Sequence, residues 1–202
     1  MATDAMMYQI KVTLNGVRPP IWRRLLVPSS LSLADLHEVL QVAMGWTDSH
    51  LHQFVARGVL YGEPDPEFGL ERINEKRVRL DEVLRTVKDA MIYEYDFGDG
   101  WEHKIVLEKV LGGAKEDARV SCIAGARACP PEDCGGVWGY ADLLKIIADP
   151  SNPEHEETLD WLGAGFDPER FDIAAVNNVL AKIKRRGLQI RSRATDRKRR
   201  VP

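Results

Sequence analysis

The chain has 202 residues, somewhat more than one average domain, and 44% of them are hydrophobic, which suits a globular core and argues against disorder. No apolar run is long enough to span a bilayer, and the first residues lack a basic start followed by an apolar block, so we expect neither a membrane partner nor a secretory signal. Three cysteines are an odd number for a disulfide framework. The sequence therefore predicts a reducing, cytoplasmic environment.

The net charge of −3 hides an uneven distribution. From Lys182 to Pro202, ten basic residues and one acidic residue give a charge of +9, whereas the preceding residues carry −12. A basic extension of this density can neutralise phosphates in a salt-dependent, sequence-independent manner. Nucleic acid is therefore a candidate partner, through Arg185, Arg186, Arg191, Arg193, Arg197, Lys198, Arg199 and Arg200.

The first half of the chain combines strands with helices. Strict alternation of apolar and polar residues predicts a strand over 8–14, and further strands are predicted over 21–27, 51–56 and near 60–61. The face of 21–27 that carries Arg23 is mixed, which favours an edge strand. Ser32 and Gly45 are the cap residues of a predicted helix between them, and Asp81 is the cap residue of a second, short helix.

The clearest hairpin joins strands over 91–96 and 101–110 through Asp99-Gly100, because both segments are rich in aromatic and β-branched residues. Long parallel crossovers are absent. This order predicts an α+β fold with an antiparallel or mixed sheet rather than a doubly wound fold.

The second half begins with a predicted loop over 122–136. Helical segments follow it, two of them capped by Asn152 and Asp172, and we expect them to pack on the second face of the sheet. The predicted organisation is a single domain with a flexible extension. The domain is predicted to cover residues 1–186, with the sheet in 8–120 and helices in 137–186. The basic tail is residues 187–202.

Histidines are the first candidates for chemistry. His50 and His52 flank Leu51 on a predicted strand, so both imidazoles share a face and can converge on one divalent metal ion such as zinc. Two histidines on a half-exposed face are the ordinary alternative. His103 lies beside the predicted core, where it is a metal ligand, a general base or, preferably, a core histidine with satisfied hydrogen bonds.

Carboxylates and cysteines around 96–136 are the second group of candidates. Asp99 is either a turn residue beside Asp96 or a catalytic base. Glu132 and Asp133 stand in a segment stiffened by two prolines and two glycines, where they can cap a helix, bind a cation or act in acid–base catalysis. A zinc site formed by a histidine with Cys122, Cys129 and Cys134 is a weaker hypothesis, because these cysteines lack the C-x-x-C spacing typical of zinc sites. The ordinary alternative is that they are small buried thiols in a rigid loop.

Several motifs occur together in one known family. They are Tyr8-Gln-Ile-Lys-Val, Pro20-Ile-Trp-Arg-Arg24, Leu33-x-x-Leu36-His37-x-x-Leu40-Gln41, Trp46-x-x-x-His50-Leu-His52-x-Phe54, Tyr93-x-Tyr95-Asp-Phe-Gly-Asp99-x-Trp101-x-His103 and Cys129-Pro-Pro-Glu-Asp-Cys134-Gly-Gly. Together they resemble the plasmid pRiA4b ORF-3-like family, also labelled as insertion-element passenger (TnpR) proteins. The resemblance implies a bacterial or archaeal α+β protein with a β-grasp-like sheet core, and it implies no reaction.

Three functions fit these observations. The preferred one is a non-enzymatic binding module associated with mobile DNA, because no catalytic set is specific enough to displace it. The second is a metal-dependent, hydrolase-like enzyme with an ion on His50, His52 and His103 and with Asp99 or Glu132 as base. The third is a protein-interaction module that docks a partner strand on the predicted edge at 21–27.

Removal of residues 187–202 tests the nucleic-acid hypothesis. We expect the truncated chain to bind duplex DNA more weakly and with a shallower dependence of log K on log salt, because fewer phosphates are neutralised. Fluorescence anisotropy between about 50 and 200 mM salt measures both quantities. Negligible binding by both forms at the lowest salt concentration would contradict the hypothesis.

Overall fold

A computed structural model describes residues 5–64, 72–114, 119–163 and 165–183. Within these residues one sheet has eight strands, in the order β5-β4-β3-β6-β7-β1-β2-β8. The strands are β1 Ala5–Leu14, β2 Trp22–Pro28, β3 His52–Ala56, β4 Val59–Gly62, β5 Ile73–Asn74, β6 Ala90–Tyr95, β7 Trp101–Ala114 and β8 Ser121–Ala126. Neighbours are antiparallel except β4 and β5. The α+β class with a mixed sheet is confirmed, whereas the β-grasp-like core stays a prediction.

The same part of the chain holds the helices α1 Leu33–Met44, α2 Leu80–Val83, α3 Gly136–Ala148, α4 His155–Leu162 and α5 Ile173–Leu180. Ser32 and Gly45 cap α1 as predicted: the Ser32 side chain accepts a hydrogen bond from the backbone of Asp35, and Gly45 is left-handed. Asp81 is not a cap, because the single turn of α2 begins before it. None of these helices has the length and apolar character needed to cross a membrane.

One face of the sheet carries the core. Alternate residues of β1 and β7, such as Ile10 and Ile105, are completely buried in one cluster with the apolar face of α1. On the other face Arg24 binds both carboxylate oxygens of Glu108, at 2.6 and 3.0 Å. The C-terminal helix α5 packs on the sheet, but the prediction that it covers this second face is wrong: α5 contacts β8 and α1, and its Leu180 joins the core on the first face.

The strand β2 is an interior strand, since it pairs with β1 on one side and with β8 on the other. The prediction of an edge at 21–27 is therefore wrong, and a partner strand cannot dock there. The strand β8 occupies the start of the segment predicted as a loop, which leaves residues 127–135 as the connection to α3. The division into a domain over 1–186 and a tail stays a prediction.

A buried cation explains the mixed face of β2. The guanidinium of Arg23, a residue only 1% exposed, lies 3.7 Å from the ring centre of Phe171. Its Nε donates to the carbonyl of Ala43 at 2.7 Å, and Nη1 donates to those of Trp22 and Ala126, both at 2.9 Å. Ala43 belongs to the last turn of α1, where carbonyls lack partners within the helix and cations are favoured. Arg23 thus ties the end of α1 to two strands.

Replacement of Arg23 by lysine removes this forked set of donors while the positive charge stays. We expect Arg23→Lys to lower the free energy of unfolding by about 2–4 kcal/mol, since buried carbonyls lose partners. Arg24→Lys, on the more exposed face, is the matched control and should cost about 1 kcal/mol or less. Urea denaturation measures both, and equal losses would contradict the structural role given to Arg23.

Candidate metal centre

Three connections meet at one end of the sheet: 45–51 between α1 and β3, 96–100 between β6 and β7, and 127–135 between β8 and α3. The backbone nitrogen of Asp96 donates to the carbonyl of Leu51 at 2.9 Å, which joins the first two. The backbone nitrogen of Gly135 donates to Oδ2 of Asp99 at 3.2 Å, which joins the second and third. Side chains that are far apart in sequence are thereby neighbours.

Glycine is required where the third connection crosses the second. Gly136 has a φ of 66°, and a Cβ atom there would overlap the carbonyl group of Asp99. Only a residue without a side chain allows this close approach. The contact brings the preceding residues, Glu132 and Asp133, to the turn that carries Asp96.

His50 lies in the middle of three carboxylates. Its Nε2 is 3.3 Å from Oδ1 of Asp133, 3.7 Å from Oδ2 of Asp96 and 3.9 Å from Oε2 of Glu132. Both His50 Nε2 and Glu132 Oε2 are buried and have no hydrogen-bond partner within the described residues. Ligand atoms around one ion are about 3 to 3.5 Å apart when the bonds to it are about 2.1 Å long. The 3.3 Å to Asp133 falls in this range, whereas the 3.7 Å to Asp96 and the 3.9 Å to Glu132 are longer.

Glu132 uses its two oxygens differently. Oε1 accepts three hydrogen bonds, from the nitrogen of Thr47 at 2.8 Å, from the hydroxyl of Thr47 at 3.0 Å and from the phenol of Tyr95 at 3.0 Å. Burial raises the pKa of Tyr95, so the phenol keeps the proton that it donates. Since Oε1 is fully occupied, the side chain is fixed with Oε2 toward His50.

Asp96 divides its oxygens in the same way. The residue is 5% exposed, and Oδ1 accepts from the nitrogens of Gly98 at 2.9 Å and Asp99 at 3.3 Å, which leaves Oδ2 toward His50. Asp96 and Asp133 both have left-handed backbones, with φ of 55° and 56°. Glycine is the ordinary residue for this conformation, and non-glycine residues in it concentrate at functional sites.

The electrostatics of this cluster are uncompensated. Asp96, Glu132 and Asp133 bring three carboxylates around one imidazole, and no lysine or arginine of the described ranges forms an ion pair with them. Like charges at this separation repel one another, and a bound cation removes the repulsion. The donor atoms of His50, Asp96 and Asp133, which all lie within 4.8 Å of one another, are therefore a candidate site for a divalent metal ion.

His52 joins a different cluster, although both histidine rings lie against tyrosines of β6. Its Nε2 binds Oε2 of Glu75 at 3.0 Å, and its ring stacks on His37 with centres 3.5 Å apart and planes within 5°. His37 in turn binds the phenol of Tyr93 at 2.8 Å and Asp48 at 2.9 Å. The shared ion predicted for His50 and His52 is therefore not supported by their positions.

The stacked pair is poorly suited to one metal ion, even though donor atoms of His37, Asp48 and His52 lie within 4.8 Å of one another. The lone pair of an imidazole nitrogen lies in the ring plane, so two parallel rings direct their lone pairs in parallel planes. Each Nε2 already has its own carboxylate partner. This cluster is a polar network with satisfied hydrogen bonds.

His103 is a core histidine. It is completely buried, its Nδ1 donates to the carbonyl of Tyr93 at 3.2 Å, and its Nε2 accepts from the indole of Trp46 at 3.2 Å. Burial lowers the pKa of His103 to about 4, so the ring is neutral. With both nitrogens engaged, His103 does not complete the ligand set predicted with His50 and His52.

The other predicted residues have separate places. Oδ2 of Asp99 accepts from Gly135, which is a structural role. The cysteines are free thiols, and burial raises the pKa of Cys129 well above its usual range and that of Cys134 to about 12. Within the described ranges, neither Cys122 nor the other two cysteines belong to a cluster of side chains that could hold a metal ion. The basic tail residues Arg185, Arg186, Arg191, Arg193, Arg197, Lys198, Arg199 and Arg200 lie outside the described residues.

The sequence prediction missed the supporting residues and the second cluster. Thr47 is an unspecified position between Trp46 and His50, and Tyr95 stands in the Tyr93-x-Tyr95 motif with no local sign that its phenol binds a carboxylate. His37 and Gln41 offered a signal, because they stand four positions apart on the buried face of α1, where polar residues need partners.

Comparison with known proteins gives three findings. A family model described as plasmid pRiA4b ORF-3-like protein matches residues 6–175. The uncharacterized protein y4hQ of Sinorhizobium fredii (strain NBRC 101917 / NGR234) is 44% identical over 174 residues, which are 86% of this chain and 87% of that one. The crystal structure of a protein of unknown function, MM3350 from Methanosarcina mazei Go1, matches with a TM-score of 0.76 and 39% identity over 85% of this chain and 97% of that one.

The neutral, buried state of His103 predicts a pH dependence. The unfolded chain protonates this ring near pH 6.5, whereas the folded chain does so only near pH 4, so the unfolded state binds more protons between these values. We expect the free energy of unfolding to fall as the pH drops through this window, by up to about 3 kcal/mol from His103. Urea denaturation from pH 7 to 4 measures this. An equally steep fall in His103→Gln would contradict the assignment.

Proposed function

Since this chain belongs to the plasmid pRiA4b ORF-3-like family, whose matched relatives are described only as uncharacterized or of unknown function, we propose a function from its own geometry. The chain is a binding module for a divalent metal ion. The ligands are His50, Asp96 and Asp133, and Glu132 lies beside them.

One observation carries this proposal. The Nε2 atom of His50 and the Oε2 atom of Glu132 are buried polar atoms without hydrogen-bond partners in the described residues. Buried polar atoms are nearly always paired, and an unpaired one costs about 1–3 kcal/mol. An ion between His50 and the carboxylates satisfies the histidine and neutralises the repulsion. The stacked pair of His37 and His52, which lies against Tyr93, has no such buried and unpaired atom.

The ligand types favour a particular class of ion. One imidazole and two carboxylates form a mixed nitrogen and oxygen set, which suits zinc or manganese better than a thiolate-seeking metal. Three protein ligands leave coordination positions open for water or another small molecule.

Three expectations from the sequence remain proposals beside this one. A reducing, cytoplasmic compartment is supported by the three free cysteines. Association with mobile DNA and contact with nucleic acid are supported by the charge of the tail over 187–202, and they are independent of the metal site. A β-grasp-like core is likewise part of what the family resemblance implies.

Metal titration tests the proposed function. We expect the full chain, prepared without a metal-affinity tag and stripped with EDTA, to bind one zinc or manganese ion by isothermal titration calorimetry. Asp96→Asn retains Oδ1 as an acceptor for the turn and removes the charge from Oδ2, so the metal affinity should fall at least tenfold. His50→Gln should have a similar effect because it removes a ligand.

His155→Gln is the matched control for the histidine. The His155 ring stands on α4, where Nδ1 contacts the carbonyl of Ile146 at 2.9 Å, and its replacement should leave the metal affinity unchanged. Stoichiometric binding that is insensitive to both His50→Gln and Asp96→Asn, or no binding by the wild-type chain, would rule out this site.

A further inference from the structure

We infer that the metal site hydrolyses uncharged or positively charged esters and amides, with Glu132 as the general base. The inference rests on the proposed function, because it needs a bound ion at His50, Asp96 and Asp133. It adds a reaction and a class of substrate.

Glu132 has the position of a base rather than that of a ligand. Its free Oε2 is 3.9 Å from Nε2 of His50, yet Glu132 is not part of the set of three residues whose donor atoms lie within 4.8 Å of one another. It therefore lies beside the three candidate ligands, where its free oxygen would face a water molecule held by a bound ion. A carboxylate with one oxygen fixed and the other free is suited to accept a proton from such a water.

The reaction consumes one water molecule and involves no oxidant or reductant. An ion held by His50, Asp96 and Asp133 would lower the pKa of a water molecule; Glu132 would take a proton from this water, and the water oxygen would form a bond to the acyl carbon. The bond from this carbon to the ester oxygen or the amide nitrogen then breaks. The proton held by Glu132 passes to the departing alcohol or amine, which leaves the carboxylic acid and the enzyme in its starting state.

The charge around the site selects the substrate. Asp96, Asp133, Glu132 and Asp99 supply four negative charges at or next to the site, and one divalent ion offsets two of them. Sites for phosphoryl transfer surround the phosphate with lysine or arginine. In the described part of the chain no such residue is ion-paired with these carboxylates, and Arg72, near the turn after β6, lies over the ring of Phe97 instead. A phosphate dianion is therefore disfavoured, whereas an uncharged or cationic acyl compound is not.

Tyr95 and Thr47 are positioning residues in this scheme. Together they fill Oε1 of Glu132 with three hydrogen bonds, and so keep Oε2 on the side of the ion. Tyr95 is itself held, because its oxygen accepts from the nitrogen of Ser49 at 3.0 Å. Loss of the phenol in Tyr95→Phe frees Glu132 to rotate, and we expect kcat to fall while KM and the metal affinity stay constant.

Three 4-nitrophenyl esters, which share one leaving group, test the inference on the full, metal-loaded chain. We expect kcat/KM for 4-nitrophenyl acetate to exceed that for 4-nitrophenyl phosphate at least tenfold, and glycine 4-nitrophenyl ester to be hydrolysed as well. Glu132→Gln retains an acceptor for Thr47 and Tyr95 but not the base, so kcat should fall about 10²- to 10⁴-fold at unchanged metal affinity. Glu157→Gln, on α4, is the control and should equal the wild type.

The outcomes separate the two proposals. One outcome is a chain that binds zinc or manganese through His50 and Asp96 but hydrolyses neither carboxylic ester, or hydrolyses the phosphate ester faster. This outcome overturns the inference and leaves the proposed function intact. Equal kcat values for Glu132→Gln and the wild type also overturn it. A chain that binds no metal overturns both.

Discussion

The contact on which the candidate site depends is the close approach of two backbones, at Gly136 and the carbonyl of Asp99. This contact packs the loop after β8 against the turn after β6, and the hydrogen bond from the nitrogen of Gly135 to the side chain of Asp99 holds the two connections together. Residues 132 and 133 lie just before this crossing, so their backbone is held at the turn after β6, and hydrogen bonds from Thr47 and Tyr95 fix the carboxylate of Glu132 there. A side chain at 136 would separate the two connections and remove Glu132 and Asp133 from His50.

This arrangement brings several carboxylates together without a lysine or arginine partner among the residues that the structure describes, which does not stabilise the fold. The carboxylates of Asp96 and Glu132 are held by backbone nitrogens, a hydroxyl and a phenol, which stabilise one oxygen of each and leave the other without a comparable donor. Elsewhere the same chain pairs its charges, as in Arg23 with helix carbonyls and Arg24 with Glu108. Local departures from such pairing are typical of functional sites in otherwise consistent folds.

The sequence predicts those features that depend on neighbouring residues. The α1 caps, the hairpin of β6 and β7 and the α+β class follow from spacing, turn residues and alternation, and the structure confirms them. The spacing of His50 and His52 is uninformative about which carboxylate each imidazole meets, because β3 begins only at His52 and the partners come from other loops. The prediction of an edge strand at Arg23 fails for a related reason. In the sequence, a buried arginine whose partners are distant carbonyls gives the same alternation of apolar and charged residues as an exposed edge strand.

The two histidine clusters show what separates a polar network from a candidate site. Both contain imidazoles and carboxylates, both lie against tyrosines of β6, and the short connection after α1 supplies Asp48 to one and His50 to the other. In the first, each ring nitrogen that faces a carboxylate is hydrogen-bonded to it at 2.9 to 3.0 Å. In the second, the corresponding distances are 3.3 to 3.9 Å, and the buried nitrogen has no partner in the described chain. The residue types are the same in both clusters, so the two differ in whether the buried nitrogen that faces the carboxylates has a hydrogen-bond partner, and this difference favours a binding role for the second.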